Sequence, residues 1–157
     1  MTISNDQLII VDAQYGFIET TQRRLISNLV GLTKQFIKFQ NNIIILEYIG
    51  CGLTLSAITE HTVYYSKASI IGKNFESGTP KILKNSPDLA KLGLTFHVAG
   101  VNWNQCVFKT IRDLLIKTNG KVVAHRYASN PYFRRCDKIW DDLIAKYNDR
   151  LEIIKRK

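Results

Sequence analysis

Cys106, Asp12 and Lys67 have complementary chemistry, and each of them follows a short apolar run of the sequence. Cys106 stands in AGVNWNQCV, where the run TFHVAG meets an amphipathic segment. Asp12 follows LIIV, and Lys67 follows TVYYS. A carboxylate beside a thiol can accept its proton, and an ammonium ion stabilises a thiolate and the charge on a reacting carbonyl. These residue types suit nucleophilic catalysis at a carbonyl carbon.

Two interpretations of Cys106 stay open at this point. If Asn102 or Asn104 caps the following helix, Cys106 lies in its first turn, where the helix dipole and free N–H groups lower a thiol pKa and can bind an oxyanion. The alternative is a buried structural cysteine, the commoner state of a free Cys. Cys51, between two glycines, and Cys136, among charged residues, lack such a helix start.

Apolar runs alternate with amphipathic segments along the whole chain, which predicts a parallel sheet with helices on both faces. Ligands bind such sheets at the carboxyl ends of the strands, where Asp12, Lys67 and Cys106 are expected to meet. A helix is predicted from Thr21, with Thr20 or Thr21 as its cap, and two further helices around Ile111 and Leu143. The predicted strands are 7–11, 42–47, 62–66, 95–99, 121–124 and the final LEII.

The length and composition fit one globular domain over residues 1–157. The chain has 157 residues, 45% of them hydrophobic, and no apolar run approaches the ~20 residues of a membrane helix. The N-terminal MTISNDQLII has no basic region before its apolar stretch, so we expect a cytoplasmic protein with reduced thiols. The net charge of +9 is spread along the chain without a basic, aromatic-rich stripe, so a nucleic-acid partner is not favoured.

The segments LIIVDAQYGF, SKASIIGKNFESGT and GVNWNQCVFKT resemble the isochorismatase-like cysteine hydrolases, which include nicotinamidases and N-carbamoylsarcosine amidases. The resemblance implies a three-layer α/β/α sandwich around a six-stranded, mainly parallel sheet. It also implies an Asp–Lys–Cys triad, with Cys106 as nucleophile, Asp12 as general base and Lys67 as the stabilising cation. The function it implies is hydrolysis of a small amide or related C–N bond through a thioester.

The same resemblance implies further parts of the site. A non-proline cis peptide bond is expected between Val101 and Asn102, and it would aim the Asn102 N–H and the Cys106 N–H at one oxyanion. The resemblance suggests a small-molecule substrate. It also suggests a homo-oligomer, a dimer or higher. The residues expected to contact the substrate are Gln14, Phe17, Tyr48 and Trp103.

Lys73 is the rival of Lys67 for the triad, because it stands two residues before Phe75 and loop lengths vary within the family. We favour Lys67 at this stage, since it directly ends a predicted strand, and a strand holds a side chain more rigidly than a loop does.

The sequence also departs from the family pattern. The stretch LEYIGCGLTL has no histidine where nicotinamidases place an Asp-x-His metal site, and His61, His97 and His125 are scattered, so neither a metal nor a cofactor is expected and nicotinamide is disfavoured. The Gly-x-Gly of that stretch lacks the third glycine of a dinucleotide-binding turn, and residues 48–53 are expected to form a pocket rim. Tyr127 stands where the family commonly has Asp. The alternative function is therefore a divergent protein that binds a small molecule or partner without turnover.

Overall fold

A single six-stranded sheet organises the chain, and all of its strands are parallel. The computed structural model describes residues 6–130 and 137–155. The strands lie in the order β3-β2-β1-β4-β5-β6. Their bounds are β1 Gln7–Val11, β2 Asn42–Tyr48, β3 Ala68–Lys73, β4 Thr95–Gly100, β5 Lys121–Ser129 and β6 Leu151–Ile154.

Helices cover both faces of this sheet, so the expected three-layer α/β/α architecture is confirmed. Alternate residues of β1 contribute to the two layers: Leu8 and Ile10 pack with the first two helices, whereas Ile9 and Val11 pack with the last three. This period of two is why the strands read as continuous apolar runs. The helices are α1 Arg23–Lys38, α2 Ser56–Thr62, α3 Thr79–Asn85, α4 Phe108–Lys117 and α5 Asp137–Lys146.

The strand predicted over 62–66 is wrong. Helix α2 ends at Thr62, and the strand in this part of the chain is β3, which begins only at Ala68. Two of the residues that suggested a strand are on the surface, with Val63 66% and Tyr64 97% exposed. The true strand is at the edge of the sheet, where only Ile71 and Lys73 are buried, so its sequence lacks the apolar run of a central strand.

The starts of two helices also differ from expectation. Helix α1 is preceded by Gln22 and has no side-chain cap; Thr20 instead donates to Phe17 O within a short 3₁₀ turn, Ile18–Thr21. Helix α4 is preceded by a π-helical turn, Trp103–Val107, which contains Cys106. Asn102 occupies the N-cap position of that turn, but its side chain makes no capping hydrogen bond.

No helix in the described parts of the chain combines the length and the apolar composition that crossing a membrane requires.

Candidate active site

The carboxyl ends of β1, β3 and β4 bring Asp12, Lys73 and Cys106 together. Asp12 directly follows β1, Lys73 ends β3, and Cys106 lies in the π-helical turn after β4. All three side chains are buried, with exposures of 0% for Asp12, 0% for Lys73 and 4% for Cys106. The site is therefore enclosed by the strand ends, where ligands bind in open parallel sheets.

The ends of β1 and β4 approach each other closely because Gly100 has no side chain. A Cβ atom at Gly100 would lie 2.1 Å from Val11 O, and its φ of +139° is one that other residues rarely adopt. Asp12 has a φ of +54°, in the left-handed region, while its N–H still bonds to Leu46 O at 3.0 Å. Strained backbone of this kind persists where the surrounding structure fixes it, often at functional sites.

The Lys73 ammonium group is held from several sides. Its Nζ lies 2.9 Å from Asp12 Oδ2 and donates to Phe75 O at 3.1 Å and to Glu76 O at 3.3 Å. The Tyr48 ring lies 4.6 Å from the same nitrogen, within the range of a cation–π contact. Three acceptors match the three hydrogens of the ammonium group, so this buried charge is satisfied.

Lys67 is not part of this group, and its predicted place in the triad is a mistake that the geometry corrects. Its Nζ is on the surface and donates to Gln40 O at 2.7 Å. Lys67 precedes β3, whereas Lys73 ends it, so the six residues of that strand place the two lysines at its opposite ends, about 20 Å apart. The error follows from the strand wrongly predicted over 62–66.

The Cys106 thiol is not activated by its position at a helix start. Burial and, to a lesser extent, the negative charge of Asp12 raise its pKa to about 12, although the positive charge of Lys73 opposes this change. The expectation of a lowered thiol pKa is therefore wrong, because desolvation outweighs the dipole of the short helical turn. The thiol is protonated in the resting protein.

Asp12 is placed to accept that proton. Burial raises its pKa, although the charge and hydrogen bond of Lys73 oppose this shift. While Oδ2 contacts Lys73, Oδ1 is buried and accepts no hydrogen bond of normal geometry from the residues that the structure describes. The carboxyl group thus has one oxygen fixed by the cation, and its interaction with the Cys106 thiol also lowers the pKa of Asp12.

The segment that carries the carbonyls around Lys73 is tied to the helix that follows Cys106. Gly78 N donates to Thr110 Oγ1 at 3.0 Å, and Thr79 Oγ1 donates to Thr110 O at 2.8 Å. Glu76 and Lys109 form an ion pair between the same two segments. We call these contacts the Thr110 strap. Thr110 was not among the predicted site residues, although it is the last residue of the segment GVNWNQCVFKT.

Gln14, predicted to bind substrate, instead holds the turn after β2. Its Nε2 donates to Tyr48 O at 3.1 Å and to Gly52 O at 2.5 Å, while its Oε1 accepts from Tyr48 N at 2.7 Å. The side chain is fully buried, so its polar atoms are already bonded to backbone. Gln14 therefore shapes the predicted pocket rim rather than facing a ligand.

The other predicted substrate contacts are distributed around the site. Tyr48 contacts Lys73, as described, and Phe17 packs in the apolar layer between the sheet and α1. Trp103 is 4% exposed and stacks on Trp140 near β5. Cys51 is half-buried in the turn after β2, and Cys136 lies outside the described residues.

The backbone at the predicted oxyanion hole differs from the expected one, although Asn102 and Cys106 still lie in the turn after β4. The peptide bond between Val101 and Asn102 is trans, and Asn102 has a left-handed φ of +62°. This conformation, rather than a cis bond, turns the chain from β4 into the π-helical turn. The roles of the Asn102 and Cys106 N–H groups stay a prediction.

In the described parts of the chain, the histidines form no metal site with acidic or thiol groups. Across residues 6–130 and 137–155, no three His, Cys, Asp or Glu side chains are grouped so that they could hold a metal ion. His97 Nδ1 and His125 Nε2 lie 2.9 Å apart, on β4 and β5. This pair belongs to the sheet and lies before the strand ends that carry Asp12 and Cys106.

No protein-family model matches the chain, and no curated protein matches it. Solved structures do. A nicotinamidase from Staphylococcus aureus superimposes with a TM-score of 0.71 at 17% identity, covering 96% of this chain and 99% of that one. The MAR1 ribonuclease from Caenorhabditis elegans superimposes with a TM-score of 0.79 at 18% identity, covering 98% of this chain and 78% of that one. An isochorismatase from Pseudomonas putida superimposes with a TM-score of 0.68 at 16% identity, covering 98% of this chain and 89% of that one. The resemblance carried by the three sequence segments is thus confirmed in three dimensions, and the chain has the fold of the isochorismatase-like hydrolases.

Proposed function

We propose that the protein is a cysteine hydrolase that cleaves a small amide or a related C–N bond. Cys106 is the nucleophile, Asp12 the general base and acid, and Lys73 the cation that holds Asp12 in place. The observation that carries this proposal is the buried Lys73–Asp12 ion pair beside the Cys106 thiol. Binding alone would not need two buried charges next to a thiol, because buried charges are costly unless a function retains them.

The first step joins the substrate to Cys106. Asp12 Oδ1 takes the thiol proton while the sulfur forms a bond to the carbonyl carbon, and the carbonyl electron pair moves onto oxygen. The resulting oxyanion accepts hydrogen bonds from the N–H groups of Asn102 and Cys106. Because the thiol pKa is about 12, we expect proton transfer to Asp12 to accompany the attack rather than to precede it as a standing thiolate.

The second and third steps regenerate the protein. The tetrahedral adduct collapses, the C–N bond breaks, and the amine leaves with the proton that Asp12 had accepted. Water then attacks the thioester carbon while Asp12 takes a proton from it. The C–S bond breaks, the carboxylic acid product leaves, and the proton on Asp12 returns to Cys106.

Lys73 acts through Asp12 in this scheme. Its contact with Oδ2 at 2.9 Å opposes the rise in the pKa of Asp12 that burial causes, and so favours the ionised carboxylate that the first step needs. The carbonyls of Phe75 and Glu76 and the Tyr48 ring fix the ammonium group in turn. We expect such fixed groups to need little reorganisation during the reaction.

The enclosed site favours a small-molecule substrate. We also propose that the protein is a cytoplasmic homo-oligomer that uses neither a metal nor a cofactor. One structural neighbour is named a ribonuclease, and this chain carries a net charge of +9. A nucleic-acid substrate would still require a reactive group near the surface, whereas Cys106 is 4% exposed. Weak salt-dependent RNA binding that leaves Cys106 chemistry unchanged is the outcome expected from surface charge alone.

A second candidate is a protein that uses this fold to bind a small molecule without turning it over. The enclosed thiol with its raised pKa favours it, since a resting thiol at about 12 is a poor nucleophile without a working base. The two candidates differ in whether Asp12 can take the proton from Cys106.

Ammonia release from a panel of small primary amides separates them. We expect wild type and Cys51→Ala to hydrolyse the same amides, while Cys106→Ala and Asp12→Asn are inactive. Activity that survives in Cys106→Ala would overturn the hydrolase proposal. Wild type that binds panel members and releases no ammonia from any of them would favour the second candidate.

A further inference from the structure

Strand β3 is an edge of the sheet, and its outer side has no partner strand among the described residues. The carbonyl oxygens of Lys67 and Lys73 accept hydrogen bonds at 2.9 and 3.0 Å from β2 and the residue after it, so the odd-numbered residues of β3 direct their backbone groups to β2. Backbone groups alternate in direction along a strand, so those of Ala68, Ile70 and Gly72 point away from the sheet. Such a row of donors and acceptors can pair with another chain.

Most of these outward backbone groups lack a partner. Ala68 N donates to Tyr65 O at 2.9 Å in the preceding turn, which leaves Ala68 O. The N–H and C=O groups of Ile70 and Gly72 make no hydrogen bond with the residues that the structure describes. Ser69, Ile70 and Gly72 are exposed. The undescribed residues join the chain next to β1, β5 and β6, which lie beyond β2 from this edge.

This edge carries none of the features that usually keep an edge strand from pairing. Natural edges are protected by charged side chains, by proline or by bulges. Residues 68–72 are Ala-Ser-Ile-Ile-Gly, without charge or proline, and their register with β2 is regular. The opposite edge of the sheet, β6, is shorter and carries the exposed Glu152. Of the two edges, β3 is therefore the one suited to a partner strand.

We propose that β3 pairs antiparallel with β3 of a second copy of this chain, around a two-fold axis at Ile70. Ile70 lies opposite the partner's Ile70, and the two residues exchange two hydrogen bonds. Each Gly72 N–H donates to the partner's Ala68 O, which gives about four hydrogen bonds in all. The proposal specifies the interface of the homo-oligomer proposed above and does not use the chemistry of Cys106.

Exposed apolar side chains lie where this pairing covers them. Ile70 is 56% exposed although it is in a strand, and its side chain meets its own copy at the axis. Tyr64, just before β3, and Phe75, just after it, are 97% and 70% exposed. In an antiparallel pair the start of one strand lies beside the end of the other, so Tyr64 comes near the partner's Phe75. The surface is thus complementary to itself, as a two-fold dimer requires.

The surfaces that flank β3 enlarge the contact beyond the strand pair. Stable interfaces bury about 1,200 Å² or more, so the neighbouring side chains have to take part. On one face, the exposed Ile49 packs over Gly72, with its Cδ1 3.4 Å from where a Cβ atom of that glycine would lie. On the other face, a groove of about 430 Å³ is lined by Ile71, Ser86 and Leu89. The partner chain covers both surfaces.

Analytical ultracentrifugation over a concentration series tests for this dimer, in at least about 0.15 M salt to screen the net charge of +9 on each copy. We expect wild type to sediment as a dimer. Ile70→Lys should raise the dissociation constant at least about tenfold while circular dichroism stays native, because two lysines would meet at the axis. Ile116→Lys is the matched control, since Ile116 on α4 is also 56% exposed, and it should sediment as wild type does.

A disulfide bond tests the register directly. With Ile70 opposite its copy, the two Cα atoms lie about 5.5 Å apart, within the range that a disulfide spans. In a Cys51→Ser, Cys136→Ser background, Ile70→Cys treated with oxidised glutathione should form a covalent dimer. The reaction should be at least about tenfold faster than that of Ile116→Cys, because pairing holds the two thiols together.

The possible failures are distinguishable. Wild type that stays monomeric throughout the concentration series would overturn both this interface and the proposed homo-oligomer. A dimer that persists unchanged in Ile70→Lys, or equal rates of cross-linking in Ile70→Cys and Ile116→Cys, would overturn the β3 interface alone. If Ile70→Lys does not fold, the cross-linking rates decide the question. None of these results bears on the hydrolase proposal, which the amide panel tests separately with Cys106→Ala.

Discussion

Lys73 Nζ lies 2.9 Å from Asp12 Oδ2, and neither side chain is exposed to solvent. The contact joins the end of the edge strand β3 to the end of β1, passing over the end of β2 between them. Replacing a buried ion pair with apolar residues is often neutral or stabilising, so such a pair is weak support for the fold by itself. Its retention at the strand ends is explained by the chemistry that we assign to Asp12.

Lys73→Met should destabilise the protein, because it leaves the Asp12 carboxylate buried without its partner. We expect a loss of about 3–5 kcal/mol in the free energy of unfolding at neutral pH, measured by urea denaturation. Lys67→Met is the matched control, since the Lys67 ammonium group lies on the surface and donates to Gln40 O; the substitution should change stability by less than about 0.5 kcal/mol. A larger loss of stability in Lys67→Met than in Lys73→Met would contradict the geometry of the site.

The alkylation of Cys106 should depend on pH in a way that an ordinary thiol does not. In a Cys51→Ser, Cys136→Ser background, the rate with iodoacetamide should still be rising at the highest pH at which the protein remains folded, because the thiol pKa is about 12. Asp12→Asn should shift this profile to lower pH, since the Asp12 charge raises the thiol pKa. The same variant should lose all hydrolysis.

A profile that levels off near pH ~8.5 in the parent would contradict this account, since that is the behaviour of a solvated thiol. So would an Asp12→Asn profile shifted to higher pH. The combination of a more acidic thiol and no turnover separates the base function of Asp12 from its electrostatic effect on Cys106.

The sequence predicted the sheet well and two of the three buried residues that meet at the strand ends, for reasons visible in particular residues. Central strands such as β1 and β4 are covered on both faces, so their apolar runs marked the positions of Asp12 and Cys106 correctly. In the edge strand β3 only Ile71 and Lys73 are buried, so its sequence has no continuous apolar run. The exposed Val63 and Tyr64, which have high strand propensity, led to a strand being predicted just before it. The choice of Lys67 instead of Lys73 as the cation beside Asp12 followed directly from this local error.

Other features depend on contacts that no local pattern encodes. The raised pKa of Cys106 comes from burial and from the charge of Asp12, which is distant in sequence. The left-handed conformation of Asn102 replaces the expected cis bond, and the backbone bonds of Gln14 appear only once the turn after β2 has folded against it.

Thr110→Val should disturb the active site beyond its effect on stability. The substitution removes the acceptor of the buried Gly78 N–H and loosens the segment whose carbonyls hold Lys73, so we expect a loss of about 1–3 kcal/mol in stability. We also expect a lower kcat and a shifted pH profile of Cys106 alkylation.

Thr118→Val is the matched control for the Thr110 strap. Thr118 is also buried near the end of α4, and its Oγ1 likewise accepts a backbone N–H, from Gly120 at 3.2 Å. It should cost similar stability while leaving the kcat and the alkylation profile unchanged. Equal effects of the two variants on kcat would reduce Thr110 to a purely structural residue.

His97 should make the protein sensitive to mild acid. Burial lowers its pKa below the usual 6.5, although the charges of Asp6 and Glu152 oppose this change, and His125 lies 2.9 Å away. The unfolded chain therefore binds a proton more readily than the folded one, so this contribution to stability is present above pH 6.5 and is lost as the pH falls below it.

His97→Asn tests this, through the difference in urea midpoint between neutral and mildly acidic buffer. We expect the variant to lose less stability on acidification than wild type, whereas His61→Asn, on α2, should behave as wild type does. An unchanged acid sensitivity in His97→Asn would show that other groups control it.

The central claim is that Cys106, assisted by Asp12 and Lys73, carries the acyl group of the substrate. Hydroxylamine added during turnover of a hydrolysed amide intercepts a thioester as an acyl hydroxamate. We predict that wild type and Cys51→Ala form hydroxamate at the expense of free acid, and that Cys106→Ala forms neither. Hydroxamate or acid produced by Cys106→Ala at the rate of the wild type would contradict the account.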